Sequence, residues 1–157
     1  MIKKHWKTYA VWILITEAVG ALSGLLSRDG TRAYTTTIQQ PPLSPPAIVF
    51  PIVWVILYGL MGFSAARVSL SPPSPARSTG LNLYAAQLIV NFFWSLIFFN
   101  AQAFVLAFLW LLLLWVLVVA MMAAFHKVDP LAAAFQAPYL IWISFAAYLS
   151  AGVWYLN

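Results

Sequence analysis

The chain has 157 residues, of which 64% are hydrophobic and only 7% are charged, and its formal net charge is +5. A soluble domain carries about 25% charged residues, so this chain has too few polar groups to cover a surface that faces water, and lipid is the expected solvent. The absence of cysteine excludes disulfides and thiolate chemistry, and two histidines with three acidic residues leave little for a metal site. We therefore expect no metal and no cofactor.

Five segments are apolar and long enough to cross a bilayer as helices, which takes about 20 residues each. They are residues 9–26, 47–68, 81–99, 103–125 and 131–156. The first could instead be a signal peptide, but it is long for a signal core and no small-residue cleavage site stands out after it. The sequence thus predicts an all-α integral membrane bundle of five transmembrane helices, formed as a single domain over residues 1–157.

The connections differ in length. Residues 100–102 and 126–130 are short turns, which predict that the third, fourth and fifth helices pack side by side. Residues 69–80 form a polar, proline-rich linker. The long connection, from Ser27 to Pro46, lies between the first and second helices, and a loop of that length is usually functional or disordered.

Basic residues orient the bundle. One side carries Lys3, Lys4, Lys7, Arg67, Arg77 and Lys127, whereas the other carries Arg28 and Arg32. Because cytoplasmic loops are enriched in Lys and Arg, the bias predicts a cytoplasmic N-terminus and an outward-facing long loop, assuming a bacterial-type cell membrane. It also explains the net charge better than binding to nucleic acid does, so we expect no nucleic-acid partner.

The third segment carries polar and aromatic side chains at intervals of three and four residues. They are Tyr84, Gln87, Asn91, Ser95 and Phe98. This spacing places them on one helical face, which must point into the bundle because lipid would not solvate Gln87 or Asn91. The face either bonds other helices or lines a cavity, and the whole stripe, with Trp94 beside it, favours a cavity.

Aromatic residues in two other segments indicate a site for a flat molecule. Trp54 and Tyr58 lie one turn apart in the second segment, and Tyr139, Trp142 and Phe145 follow Pro138 in the fifth. Pro138 should kink its helix and open space. Rings with a single polar donor suit a planar ligand, although Trp and Tyr also form belts at the membrane surface. For Trp54 and Trp142, which lie deeper, a pocket is favoured.

Two features of the first segment leave alternatives open. Gly20 and Gly24 form a small-xxx-small pair, which serves either a dimer contact or packing within the bundle. Glu17 precedes them inside the apolar run. An ionisable group at that depth is a functional hypothesis by default, and the alternative is a neutral Glu17 bonded to a neighbouring helix.

Three segments, in order, resemble the TspO/MBR family over nearly the whole chain. SPPAIVFPIVWVILYGLMG resembles the family's W-x-P-P segment followed by P-x-W-x-x-L-Y, and YAAQLIVNFFWSLIFF resembles its third helix, with the asparagine at Asn91. PLAAAFQAPYLIWISFAAYL resembles its fifth helix, whose signature falls on Pro138, Tyr139, Trp142 and Ala146. The resemblance implies binding of porphyrins such as protoporphyrin IX and of benzodiazepine-site ligands, and a homodimer.

The resemblance also implies roles for individual residues. Trp54, Asn91, Trp142 and Ala146 match ligand-facing positions of the family. The full predicted ligand-binding set is Trp54, Tyr58, Tyr84, Gln87, Asn91, Trp94, Ser95, Pro138, Tyr139, Trp142, Phe145 and Ala146. The loop that covers the pocket is predicted to use Tyr34, Pro41, Leu43, Pro45 and Pro46. Its prolines would restrict the backbone before binding and fix where the second helix begins.

The covering loop departs from the family pattern. Gln40 stands in place of a lysine, Leu43 in place of a tryptophan, and Tyr34–Thr35 in place of a Trp-Tyr pair, which removes ring surface. The end of the fifth helix, YLN, lacks the basic residue that follows a tyrosine in the sterol motif. This argues against cholesterol as a native ligand.

Several functions fit these observations. The favoured one is a membrane receptor or transporter-like protein for porphyrins, and the alternative is an enzyme that degrades porphyrin with light and oxygen. No nucleophile–base pair is visible, so whether the protein is an enzyme stays open, and Trp54 and Trp142 are the residues that such chemistry would use. A purely structural bundle and a proton-coupled carrier built on Glu17 are further readings, the carrier being weakened by the lack of an internal repeat.

Overall fold

A computed structural model describes residues 2–157, which form seven helices. They are α1 (Ile2–Leu26), α2 (Arg28–Thr37), α3 (Val49–Ser69), α4 (Pro75–Ser95), α5 (Phe104–Val128), α6 (Pro130–Ala134) and α7 (Ala137–Leu156). A π-helical turn, Leu96–Asn100, continues α4. Five helical stretches are long and apolar enough to span a membrane, α6 and α7 together making the fifth. The predicted all-α bundle of five transmembrane helices is confirmed.

The α4 helix begins at Pro75 rather than at residue 81, where the apolar segment starts. The Ser74 hydroxyl accepts a hydrogen bond from the Arg77 amide at 3.1 Å and so caps the helix. Pro75 follows at the first helical position, where its missing amide hydrogen costs nothing. The polar linker therefore contributes to the helix, because capping rather than hydrophobicity sets its start.

The long connection is not a simple loop, because half of it is the α2 helix. Ser27 precedes α2, and Asp29 lies in its first turn, where a negative charge favours the helix dipole. The structure thus corrects the expectation of an irregular segment from Ser27 to Pro46. The apolar pattern gave no sign of α2, since its residues, RDGTRAYTTT, are mostly polar.

The long helices form a ring. The α1 helix packs mainly on α3, α4 on α5, and α5 on α7, while α1 also touches α4. The predicted side-by-side packing of the third, fourth and fifth spans is confirmed. Gly62 permits the α1–α3 contact, because a Cβ at this position would lie 2.6 Å from the Ile13 Cα. Contact between α3 and α7 is sparse, and aromatic rings occupy that seam.

The fifth span is interrupted just before Pro138. The α6 helix ends at Ala134 and α7 starts at Ala137, with Phe135 and Gln136 in a turn between them. The kink that Pro138 predicted is therefore a break placed so that the proline falls in the first turn of α7. There, its missing donor removes no helical hydrogen bond.

An ion pair ties α3 to the α5–α6 turn. The Arg67 Nε lies 2.8 Å from Asp129 Oδ2, and both side chains are more than four-fifths buried. Asp129 also accepts hydrogen bonds from the Leu131 and Ala132 amides, which caps α6. Burial alone would raise the pKa of the Asp129 carboxyl, but Arg67 and the two amides outweigh burial and lower that pKa below its ordinary value.

Candidate functional site

A cavity of about 460 Å³ lies where α1, α2 and α3 meet the end of α4. Its aromatic wall consists of Tyr34, Phe50, Trp54, Tyr58, Trp94 and Phe99. Ala21 and Gly24 of α1 and Val55 of α3 line the cavity and are also exposed, so it opens sideways between these two helices. The volume falls within the range of ligand sites, which is about 300–1,000 Å³.

Six of the predicted site residues line this cavity. They are Trp54, Tyr58, Trp94 and Ser95 of the ligand set, and Tyr34 and Pro45 of the covering loop. The Trp54 and Tyr58 rings stack with centroids 5.3 Å apart. The Trp94 indole N–H is buried and has no hydrogen-bond partner among the described residues.

Three other predicted residues join Tyr58 in a hydrogen-bond chain behind the cavity. The Tyr58 hydroxyl donates to Asn91 Oδ1 at 3.2 Å, and Asn91 Nδ2 donates to the Tyr139 hydroxyl oxygen at 2.7 Å. The Tyr139 hydroxyl donates in turn to Gln87 Oε1 at 2.8 Å. Asn91 and Gln87 thus bond other helices, which is the alternative that the polar stripe left open, and they support the wall through Tyr58.

Tyr84, the first member of the stripe, is also used between helices. Its hydroxyl shares a hydrogen bond with the Thr16 hydroxyl of α1. Its ring packs edge-on against Trp12, with centroids 5.7 Å apart, and lies parallel to Phe125. Tyr84 is 2% exposed and lies away from the cavity.

A small second void of about 20 Å³ lies in the seam between α3 and α7. Trp142 and Ala146 line it from α7, and Trp54 lines it from α3. The Trp54 and Trp142 rings meet edge to face, with centroids 6.4 Å apart. Phe145 packs on Trp142 without lining either void, and Pro138 is exposed. Trp54 therefore connects the two voids.

The α2 helix and residues 38–46 after it form the roof. Tyr34 is 4% exposed and packs on Phe98 and Phe99, each with a centroid separation of 5.3 Å. Burial raises the pKa of the Tyr34 phenol above its ordinary value. Gly30 lies so close to the Phe99 carbonyl that a Cβ would be 2.6 Å from it. The α2 helix thus packs directly on the π-helical turn.

Residues 38–46 are held against the end of α7. Asn157 accepts a hydrogen bond from the Gln39 amide and donates one to the Gln39 carbonyl oxygen, at 3.1 and 2.8 Å. The Tyr148 hydroxyl donates to the Pro42 carbonyl oxygen at 2.7 Å, and Pro41 packs on Gly152. These contacts fix the roof to the fifth span.

The remaining proline and leucine positions of the roof point elsewhere. Leu43 is 82% exposed and has a φ of 68°, in a tight turn where the Ser44 amide donates to the Pro41 carbonyl oxygen. Pro46 is exposed, and its carbonyl oxygen accepts from the Val49 amide at the start of α3. Pro46 therefore marks where α3 begins, while Leu43 covers nothing.

The cavity is also lined by polar residues outside the predicted site. Glu17 and Ser23 line it from α1, Arg28 and Arg32 from α2, and Gln40 from the segment after α2. Glu17 forms no hydrogen bond within residues 2–157, so the alternative of a Glu17 bonded to a neighbouring helix is not seen there. The recurrence of Gly20 and Gly24 was the sequence signal for this wall.

The glycine pair itself serves packing within the chain at one position. A Cβ on Gly20 would lie 2.2 Å from the Tyr58 Cε2 atom, so Gly20 makes room for the Tyr58 ring. Gly24 has no atom near its missing Cβ and leaves the cavity mouth open. Among residues 2–157, three or more His, Asp or Glu side chains do not cluster in any place that could hold a metal ion.

The fold and the cavity define a multi-pass integral membrane protein with an internal site under a helical roof. The profile of the TspO/MBR family matches residues 12–156, and the chain belongs to that family, as the motifs predicted. It is 34% identical to the tryptophan-rich protein TspO of Chlorobaculum tepidum, with 99% of each chain covered. It is 36% identical to protein CrtK of Rhodobacter capsulatus, with 95% of this chain and 92% of that protein covered.

The similarity extends to animals. The translocator protein of Ovis aries is 36% identical over 82% of this chain and 77% of its own length. Together these relatives support a receptor-like or transporter-like role in the membrane.

Proposed function

We propose that the protein is a membrane receptor or transporter that binds flat, hydrophobic tetrapyrroles such as protoporphyrin IX, and benzodiazepine-site ligands, in the 460 Å³ cavity. The observation that carries the proposal is the aromatic wall of this cavity, in which Trp54 stacks on Tyr58 and the Trp94 ring joins them. Apolar rings with a few fixed polar groups are the usual composition of sites for planar ligands.

The setting that we propose is a bacterial cell membrane with the N-terminus in the cytoplasm and the α2 roof outside. Six basic residues on one side of the bundle against two on the other support this orientation. The family resemblance supports a homodimer. Nucleic acid is not a partner in this proposal.

A fluorescence titration tests the proposal. Purified protein in detergent, titrated with protoporphyrin IX, should show saturable quenching of its tryptophans. Trp54→Ala removes a ring that lines both voids and should weaken binding about five- to 150-fold, since stacking of a flat ring on an aromatic side chain is worth about 1–3 kcal/mol. Trp154→Ala, on the outer surface at 57% exposure, is the matched control and should leave the affinity unchanged.

Absence of saturable quenching in the unaltered protein would contradict the proposal. It would favour a structural bundle in which the Tyr58–Asn91–Tyr139–Gln87 chain only joins helices.

One observation favours a second candidate, light- and oxygen-dependent degradation of porphyrin. A porphyrin in the 460 Å³ cavity would lie next to Trp54, and the Trp54 ring meets the Trp142 ring edge to face at 6.4 Å, so a second oxidisable ring lies directly behind the first. Illumination with dioxygen should then consume bound protoporphyrin faster in the unaltered protein than in Trp142→Phe. Equal rates in both would remove Trp142 from such a reaction.

A further inference from the structure

The walls of the 460 Å³ cavity carry charge that a purely apolar ligand does not need. Arg28 and Arg32 of α2 line the cavity at the roof, and Glu17 of α1 lines it on the membrane side. The basic and acidic side chains therefore lie at opposite ends of one cavity.

The two arginines are available to a ligand. Arg28 Nε lies 4.0 Å from Asp29 Oδ1, but the side chains are 63% and 89% exposed, so this pair is weak. Arg32 forms no ion pair within residues 2–157. A guanidinium carries five N–H donors in a planar arrangement that matches a carboxylate. The two guanidinium groups of Arg28 and Arg32 at the roof therefore form a site for an acidic group.

Glu17 lies at the other end. A Cβ added at Gly59 of α3 would lie 3.5 Å from the Glu17 Oε1 atom, so the Glu17 carboxyl packs where Gly59 has no side chain. Glu17 forms no hydrogen bond with residues 2–157. Ten residues of helix, from Glu17 to Ser27, separate it from the roof, or about 15 Å at the helical rise. A second acidic group beside the Glu17 carboxyl is disfavoured, because two carboxyl groups that share one site cannot both ionise readily.

We propose that Arg28 and Arg32 recognise an acidic group of the ligand at the roof, while Glu17 disfavours that group at the opposite end. The cavity then holds an amphiphile with an apolar body and an acidic edge in one orientation, with the acidic edge under α2. This inference rests on the proposed function, since it names the chemical class that the same cavity selects.

The test compares protoporphyrin IX, which has two carboxyl groups, with its dimethyl ester, which has none. The measured quantity is the ratio of their dissociation constants, taken on full-length protein in one detergent by tryptophan quenching. Because both compounds partition into the detergent in the same way for every variant, changes in the ratio between variants report the protein alone. The unaltered protein should prefer the diacid.

Arg28→Gln with Arg32→Gln should reduce the preference for the diacid about tenfold, or about threefold for each exposed charge pair, while binding of the ester stays the same. Lys3→Gln with Lys4→Gln removes the same charge from the other side of the bundle and should leave the ratio unchanged. Glu17→Gln should raise the preference about threefold.

Each outcome bears on a separate claim. Saturable binding of both compounds with the same ratio in the double arginine variant would overturn the inference and leave the proposed function standing. An unchanged ratio in Glu17→Gln would overturn the part assigned to Glu17. If neither compound binds saturably to the unaltered protein, the proposed function fails, and the inference fails with it.

Discussion

The missing Cβ of Gly20 determines where the Tyr58 ring lies in the cavity wall. The Tyr58 ring occupies the space where a side chain at Gly20 would lie, and its hydroxyl is held by Asn91 behind it. The ring therefore has little freedom to move aside, so the identity of one residue on α1 decides where the aromatic wall on α3 lies.

Gly20→Ala should consequently lower stability, because a Cβ placed 2.2 Å from the Tyr58 ring forces it off its position. Overpacking of this kind costs about 1–3 kcal/mol. The measurement is the thermal midpoint in detergent, together with the affinity for protoporphyrin IX. Gly24→Ala is the control on the same helix and should change the thermal midpoint little, since no atom lies within 4 Å of its missing Cβ.

Leu43 adopts a backbone conformation that its side chain disfavours. Left-handed geometry costs an L-residue about 1–2 kcal/mol, and Asn tolerates it better than Leu does. We expect Leu43→Asn to raise the thermal midpoint slightly, by the equivalent of about 0.5–1 kcal/mol. Leu43→Ala keeps the penalty and should leave the midpoint unchanged; an equal rise in both variants would attribute the effect to lost hydrophobic exposure instead.

At the residue scale, some of the predicted aromatic residues line the cavity, whereas most of the polar stripe lies behind it. Trp54, Tyr58 and Trp94 lie at the cavity because large rings with one donor favour such places. For Asn91 and Gln87, helical periodicity gives only the inward direction, which a hydrogen bond to another helix satisfies as well as a cavity does. Periodicity alone cannot distinguish these two.

Among the elements, α2 is the one that sequence reading missed. Its residues are polar and its stability comes from tertiary contacts, with Tyr34 buried between Phe98 and Phe99 and Gly30 against the π-helical turn. Short helices are marginal by themselves and depend on such packing. No pattern within RDGTRAYTTT could reveal contacts made with residues about sixty positions later.

The roof should loosen when its attachment to α7 is altered. A Cβ on Gly152 would lie 2.5 Å from the Pro41 Cβ, and the proline ring cannot fold away. We expect Gly152→Ala to displace residues 38–46, which would increase protease cleavage there and speed the release of bound porphyrin. Tyr148→Phe, which loses only the hydrogen bond to Pro42, should produce a smaller change in the same direction. Unchanged cleavage in both would show that the roof does not depend on α7.

The stability that Asp129 contributes at the start of α6 should depend on pH. Because the pKa of Asp129 is lowered in the folded protein, its stabilisation is fully present above the ordinary carboxyl pKa of 3.8 and is lost as the pH falls through the lower, folded-state pKa. Asp129→Asn keeps a helix cap but loses the charge that Arg67 pairs with. The thermal midpoint of the unaltered protein should exceed that of the variant at neutral pH, and the two should converge in acid. A constant difference across this range would exclude the ion pair as its source.

For the molecule as a whole, composition and span length were enough to predict five membrane helices, since lipid leaves few alternatives to a helix. The sparse α3–α7 contact could not be predicted in this way, because it arises from ring shapes that hold two helices apart. Trp142 and Phe50 fill that seam, with centroids 5.8 Å apart.

The membrane orientation can be tested with the chain's own composition. It contains no cysteine, so a single introduced thiol reports its own side of the membrane. A membrane-impermeant maleimide added to intact cells should label Thr36→Cys on α2 but not Ser78→Cys near the start of α4. Labelling in the reverse pattern would invert the proposed topology.

The sideways mouth of the cavity is bordered by Ala21, Gly24 and Val55, which belong to two membrane-spanning helices, so we expect it to face acyl chains rather than water. A ligand that enters there comes from the hydrocarbon phase of the membrane, where the concentration of a hydrophobic tetrapyrrole is far higher than in water. The fraction of protein with bound ligand would then depend on the mole fraction of ligand in the lipid. Two membrane samples with equal total ligand but different amounts of lipid would therefore show different occupancies.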